Sequence, residues 1–350
     1  MMKKTLAAVL TCCGLLCCPA VSYAGISAEA YILMDASTGT VLEAKSEHEQ
    51  LPMASTTKIM TAILTLEAGD LDTPFVAPEE PLLVEGSSMG LLPGDEVTLL
   101  DLCYGMLLPS GNDAANLAAW RVAGSQEAFV ERMNQKAAEL SLADTQFQNP
   151  SGLPADGHYS SAADLAALAC YALENETFAE ICATESQKLT YGNPPYDRWL
   201  TNHNKLLGYY EYCIGVKTGY TKAAGRCLVS AARKDGVTLV AVTLNDPNDW
   251  SDHQALYESG FAQGETLLEA GETFSCPLVG GMEDTILLEA ADTLRSYSSE
   301  EAKLVVLAEP FYYAPITEGT VLGTAELWEG DTLVASTDLV AAPSLDSSSS

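Results

Sequence analysis

The stretch Ile214-Gly215-Val216-Lys217-Thr218-Gly219-Tyr220 opens a run of strand-type sequence that decides the fold. Two more such runs follow, Cys227 to Arg233 and Thr238 to Leu244, with Gly225 and the pair Asp235-Gly236 marking the turns between them. Near the start of the chain, Ala30 to Met34 and Gly39 to Ala44 read as two short strands around the turn Asp35-Ala36-Ser37-Thr38-Gly39. Helical patterns fill the space between. One runs from Thr56 to Ala68 and stops at Gly69; a second runs to Leu107 from the capping-box-like start Thr98-Leu99-Leu100-Asp101. Ala114 to Ala123, Gln126 to Leu140, and Ala162 to Leu173 (capped by Ser160 or Ser161) are three more, and Trp250 to Gly264 closes the set. Strands early and late with helices in the middle predict an α/β (α+β) domain. Its antiparallel sheet pairs the first strands with the last, and helices cover it.

From about residue 267 the texture changes. Short strand-like runs (Thr285 to Leu288, Lys303 to Leu307, Val321 to Leu327, Thr332 to Ser336) alternate with Gly, Asp, Glu and Pro, and no long helical pattern remains. Residues 267–343 are expected to form a small all-β sandwich domain, and 344–350, ending in four serines, a disordered tail.

Composition removes several classes of function. The 350 residues carry 17 Lys plus Arg against 48 Asp plus Glu, a formal charge of −31, at 47% hydrophobic content. The apolar fraction supports packed cores, while the charge repels nucleic-acid phosphates and anionic lipid surfaces. The N-terminus reads as a secretory signal. Lys3 and Lys4 precede an apolar run from Thr5 to Val21, and Ser22-Tyr23-Ala24 places small residues before a cut after Ala24. Cleavage there removes 1–24 with two lysines and no acid, taking the charge from −31 to −33, and exports the protein across the cytoplasmic membrane to the extracellular or cell-wall side. Six cysteines remain (Cys103, Cys170, Cys182, Cys213, Cys227 and Cys276), widely spaced and without a His-paired cluster. Export permits disulfides, but cysteines inside apolar runs read rather as buried thiols, and no metal site is expected.

Three short motifs carry the chemistry. Ser55-Thr56-Thr57-Lys58 sets a hydroxyl and an amine one turn apart at a helix start, where the helix end favours developing negative charge. Lys58 can take the Ser55 proton if burial or a nearby positive charge keeps it neutral. Ser110-Gly111-Asn112 lies between two helices, where a hydroxyl can relay a proton and an amide can donate to a substrate carbonyl. In Lys217-Thr218-Gly219, the first two side chains can hold a carboxylate, and Gly219 lets a substrate backbone approach the strand edge. Taken alone, the first two triplets read rather as an N-cap with a surface lysine and a plain turn, and the third also reads as an edge-strand lysine. Their joint occurrence, in order and in the contexts helix start, inter-helix loop and strand, points to an active-site serine acyltransferase.

With these motifs the chain resembles the low-molecular-mass penicillin-binding proteins, the D-alanyl-D-alanine carboxypeptidases. The resemblance extends to 149–153, 158–164, 202–207 and 215–225. It implies that residues 25–266 form a serine β-lactamase/transpeptidase-like domain followed by that family's second domain. It further implies acylation of Ser55, with Lys58 as base and Ser110 passing a proton to the leaving nitrogen. Asn112 would orient the acyl amide. Lys217, Thr218 and Gly219 would bind the substrate, and the backbone N–H groups of Ser55 and Tyr220 would form the oxyanion hole. The implied substrate is a D-Ala-D-Ala stem peptide of peptidoglycan, with β-lactams as inhibitors and no cofactor. The amphipathic C-terminal helix with which the family often ends is not seen, which leaves membrane contact open.

Other functions share these motifs. A β-lactamase would need a water-activating Glu; Glu174 and Glu176 lie before the strand but follow a helix. An endopeptidase would use the same site on cross-links, and a wall-binding or β-lactam-sensing protein would not turn over. His158 and His203 read as scaffold, and Trp120, Trp199, Trp250 and Trp328 as packing residues.

Overall fold

Strand β1 (Ala30–Asp35) alternates between two apolar environments and thereby fixes the architecture of the first domain. Ala30 and Ile32 point into a core shared with helices, while Tyr31 and Leu33 point to a second core on the opposite face. The computed structural model describes residues 25–234, 237–297 and 302–343. The expected signal segment, the Asp235-Gly236 turn and the expected tail 344–350 lie outside them.

In chain order the first domain contains β1, β2 (Val41–Lys45), α1 (Lys58–Glu67), α2 (Leu99–Leu107), α3 (Asn112–Ala123), α4 (Gln126–Glu139), α5 (Ala162–Leu173) and α6 (Glu176–Ala183). After these come β3 (Ser186–Gly192), β4 (Pro195–Thr201), β5 (Cys213–Thr221), β6 (Gly225–Lys234), β7 (Val237–Leu244) and α7 (Asp249–Ala262). The main sheet runs β2-β1-β7-β6-β5, antiparallel throughout, and β1 pairs with β7 in the register Ile32↔Val242. The first strands thus pair with the last, as expected. The interior strands are buried on both faces: Val240 and Val242 face the helical cluster, and Leu239 and Ala241 face α7. The α7 face also holds a polar knot in which His253 bonds Ser230 Oγ and Thr243 Oγ1. Burial lowers the His253 pKa to about 3, so the ring is neutral.

Caps set the helix starts. Thr98 and Asp101 form the capping box of α2, and Ser161 accepts from the Asp164 N–H to cap α5. Two elements depart from the sequence reading, the short helix α6 and the hairpin β3–β4. The hairpin is pinned by Arg198, whose guanidinium lies 4.1 Å from the Tyr191 and Tyr196 ring centres and donates to the Gly90 carbonyl.

The second region is all β. After β8 (Glu265–Leu268) come β9 (Thr273–Val279), β10 (Thr285–Ala290), β11 (Leu294–Ser296), β12 (Ala302–Ala308), β13 (Tyr312–Tyr313), β14 (Val321–Glu329) and β15 (Thr332–Ala341). Six strands form one sheet, β12-β14-β15-β10-β9-β13, and β8 pairs with β11 in a two-stranded ribbon. Leu268 and Leu294 of the ribbon pack with Leu288, Leu327 and Leu339 of the sheet. The expected sandwich is therefore lopsided, a broad sheet faced by a two-stranded ribbon. All six cysteines in the described residues are free thiols.

Candidate active site

Ser55 sits in a 3-10 turn, Ala54–Thr57, that runs straight into α1. The turn is held by its own threonines: Thr56 Oγ1 donates to the Met53 carbonyl at 2.7 Å and Thr57 Oγ1 to the Ala54 carbonyl at 2.8 Å. Behind it, His158 Nδ1 accepts from the Gln148 N–H, which leaves Nε2–H to donate to Thr57 Oγ1. Burial, with a smaller contribution from Lys58, lowers the His158 pKa to about 4, consistent with a neutral scaffold ring. Gly152 lies hard against the turn at φ +85°, and a Cβ there would stand 2.0 Å from the Ala54 carbonyl oxygen.

Lys58 is fully buried. Its Nζ lies 3.0 Å from Ser55 Oγ, 2.7 Å from Asn112 Oδ1 and 2.5 Å from the Ser151 carbonyl oxygen. Burial lowers the Lys58 pKa well below that of a free lysine, and the charge of Lys217 lowers it further, against Asp113. In the neutral amine, Asn112 and Ser151 each take one N–H, and the lone pair remains for the Ser55 hydroxyl proton.

Ser110 occupies the bend between α2 and α3 at φ +63°. Asn112, the first residue of α3, donates from Nδ2 to the Glu85 carbonyl at 2.6 Å, so its amide spans Lys58 and the 85–87 loop. Asp113 gathers the next loop, accepting from Ser88 Oγ and from the N–H groups of Met89, Gly90 and Leu91.

Strand β5 is one of the two edges of the sheet. On it Gly219 approaches the nucleophile so closely that a Cβ would lie 3.1 Å from the Ser55 nitrogen. Lys217 is 1% exposed, and its Nζ donates to the Thr218 carbonyl at 2.9 Å. Burial lowers its pKa to about 7. A cavity of about 450 Å³ is lined by Ser55, Ser110, Thr218, Gly219 and Tyr220. Lys58, Asn112 and Lys217 stand behind that wall rather than on it.

The far wall was not foreseen in the sequence. Arg226 on β6 pairs with Tyr220 across the strands and lines the cavity together with Lys205, Asp249 and Trp250. Its Nη2 bonds Asp249 Oδ1 at 2.6 Å, its guanidinium lies 5.3 Å from the Trp250 ring centre, and its Nε is buried without a hydrogen-bond partner among the described residues. Trp250 therefore lines the cleft as well as packing against the core on the α7 face, and Trp199 on β4 is 69% exposed. The only signal for Arg226 was its place at the start of a strand that follows Gly219 through one tight turn. Neither Glu174 nor Glu176 lines this cavity. Its one carboxylate among the described residues, Asp249, is committed to Arg226 and to the Trp250 N–H.

A helix-start serine facing a buried lysine, set against an open sheet edge, defines a serine acyl-transfer enzyme of the penicillin-recognising class. Comparison with known proteins agrees. A family model for D-alanyl-D-alanine carboxypeptidases matches residues 19–248. The chain is 33% identical over 330 residues to the D-alanyl-D-alanine carboxypeptidase DacF of Bacillus subtilis, covering 90% of this chain and 85% of the relative. It is 33% identical over 324 residues to DacC of Escherichia coli, covering 86% and 80%. Penicillin binding protein 5 from Haemophilus influenzae superposes with a TM-score of 0.67 at 28% identity, over 92% of this chain and 98% of that one. The Streptomyces K15 DD-transpeptidase does so at 0.66 and 31%, over 69% and 100%. The chain belongs to the D-alanyl-D-alanine carboxypeptidase family.

Proposed function

We propose that this enzyme releases the terminal D-alanine of peptidoglycan stem peptides through an acyl-enzyme on Ser55. The observation that carries the reading is the 3.0 Å approach of Lys58 Nζ to Ser55 Oγ, in a setting where burial and Lys217 favour the neutral amine. Ser55 Oγ attacks the carbonyl carbon of the penultimate residue, and its proton passes to Lys58. The tetrahedral oxyanion is held by the backbone N–H groups of Ser55 and Tyr220. Ser110 relays a proton from Lys58 to the leaving nitrogen, the C–N bond breaks, and D-alanine departs. Water then attacks the ester, Lys58 takes its proton, and Ser55 regains its own. Asn112 serves chiefly by fixing Lys58 through its Oδ1. The carboxylate of the leaving residue is drawn by Thr218 and the cations around it, Lys217 from behind the strand and Arg226 from the open side.

The enzyme is strongly anionic and so is its substrate, so attraction must be local. The positive charges at the cleft act within a Debye length, about 8 Å at physiological salt. Peptidoglycan lies outside the cytoplasm, and we place the mature protein there after removal of residues 1–24. Among the described residues no helix is long and apolar enough to cross a membrane. The test is release of D-alanine from a synthetic pentapeptide. The wild type is expected to release it and Ser55→Ala is not. Release by Ser55→Ala at the wild-type rate would refute the site.

A further inference from the structure

A second cavity, of about 650 Å³, adjoins the catalytic cleft past Arg226 and Trp250. Two helical turns join the spaces. Lys205, the N-cap of the short helix Leu206–Tyr209, lines the cleft, and Tyr209 lines the second cavity. On α7, Trp250 and Gln254 stand in the same relation. Residues four apart on a helix are neighbours, with Cβ atoms about 5–6 Å apart. Tyr209 also feels the cleft directly: burial and then the Asp249 carboxylate raise its pKa, and Arg226 opposes them.

The floor of this cavity is aromatic and held in place from below. The Tyr210 ring stacks on Tyr257 at 5.6 Å and Tyr257 on Phe261 at 6.2 Å, with Tyr257 fully buried. Tyr212 meets Tyr210 and Phe261 edge-on. Lys234 Nζ lies 5.1 Å from the Tyr212 ring centre and 6.0 Å from that of Phe261. The place a bound ammonium would take over these rings is therefore filled by the protein's own. The rim is polar. Glu211, Gln254 and Glu258 are exposed, Gln254 Nε2 donates to Glu258 Oε1 at 3.1 Å, and Tyr209 is 52% exposed beside them. Two carboxylates on the rim disfavour an anionic ligand. The lining suits a neutral molecule that lays C–H groups on rings and donates hydroxyl and amide hydrogens to carboxylates, as a pyranose does. The volume falls within the 300–1,000 Å³ usual for a whole small ligand.

We propose that this cavity binds the N-acetylated sugar backbone of peptidoglycan, with Tyr209 as the stacking ring and Glu258 as the acceptor for sugar hydroxyls. The proposal rests on the carboxypeptidase reading for the choice of glycan, and it adds a preference for stem peptides presented on the polymer over free ones. One exposed stacking ring sets that preference at about fivefold.

The probe is tri-N-acetylchitotriose, a neutral β-1,4-linked oligomer of N-acetylglucosamine. Its binding is followed by saturation-transfer NMR for the wild type, the wild type acylated with benzylpenicillin, Tyr209→Ala and Glu258→Gln, with thermal unfolding as the check on folding. D-Alanine release is measured in parallel from a soluble pentapeptide and from purified peptidoglycan. The oligomer is expected to bind free and acylated wild type alike and to bind each variant about fivefold more weakly. Release from peptidoglycan is expected to fall about fivefold in the variants, while release from the soluble peptide stays within about twofold of the wild type. No binding to the wild type would overturn the inference, as would binding that folded variants retain or that acylation of Ser55 abolishes. Choline binding in place of the oligomer would overturn it too, because the cavity would then be a cation site. Release from neither substrate would overturn the carboxypeptidase reading, while binding of the oligomer tests this site by itself.

Discussion

Substituting Gly152 by alanine puts one methyl group where the nucleophile's backbone already stands. At the ideal Cβ position the new carbon would lie 2.0 Å from the Ala54 carbonyl oxygen, 2.5 Å from its carbon and 2.9 Å from the Ser55 nitrogen. All three contacts are backbone, so no side chain can swing away. Real Cβ contacts stay beyond about 3.0 Å, which requires the 54–55 segment or the 150–153 loop to retreat by about 1 Å. The φ of +85° adds a strain of about 1 kcal/mol for a residue with a Cβ. The displaced peptide unit carries the Ser55 N–H, proposed above as an oxyanion donor; loss of one such donor costs about 3 kcal/mol in the transition state, or 10²- to 10³-fold in rate. The assay is the second-order rate of acylation by benzylpenicillin, read beside thermal unfolding. The variant is expected to remain folded with a lower midpoint and to acylate at least 100-fold more slowly. A folded variant that acylated within twofold of the wild type would refute the reasoning, because the oxyanion donor would then not depend on that contact.

Four further predictions follow from the same geometry. Lys217→Met removes a positive charge that lowers the Lys58 pKa, so that pKa rises and the neutral fraction at pH 7 falls. The acid limb of the acylation profile should move to higher pH, and a limb that stays in place would contradict the coupling. In the wild type, loss of the Lys217 proton near pH 7 should raise KM for carboxylate-bearing substrates as pH increases through that value, with amidated analogues unaffected. Thr57→Val leaves the His158 Nε2–H and the Ala54 carbonyl without their partner; it should destabilise the protein by about 1–3 kcal/mol and slow acylation, measured by thermal unfolding and stopped-flow. Arg226→Ala should raise KM for peptides with a free C-terminal carboxylate more than for amidated ones, and equal effects on both would remove Arg226 from carboxylate binding.

Most of the scaffold was legible because its signals are local. The capping box at Thr98, the Ser161 cap and the apolar runs of β1, β5, β6 and β7 each announce their own element, and the order of elements sufficed to pair β1 with β7. The hairpin β3–β4 was not legible. Its turn contains Pro194 and β4 opens on Pro195, which weakens a strand reading, and it is held by Arg198 reaching Gly90, a contact far apart in sequence. Helix α6, at eight residues, is too short for its periodicity to stand out. In the site, the spacing of Ser55 and Lys58 placed two groups on one turn. The cleft wall formed by Arg226 and Trp250, the Ser151 carbonyl that accepts a hydrogen bond from Lys58, and the contact of Gly152 with the nucleophile exist only once distant segments converge.

The central claim is that Ser55, activated by Lys58, forms the covalent acyl-enzyme. Intact mass of the protein with benzylpenicillin over time, alongside Ser55→Ala, tests it most directly. The account predicts one adduct of the drug's mass that persists for minutes in the wild type and is absent from the variant. An adduct that forms equally on Ser55→Ala would contradict it, and so would a folded wild type that never acquires one.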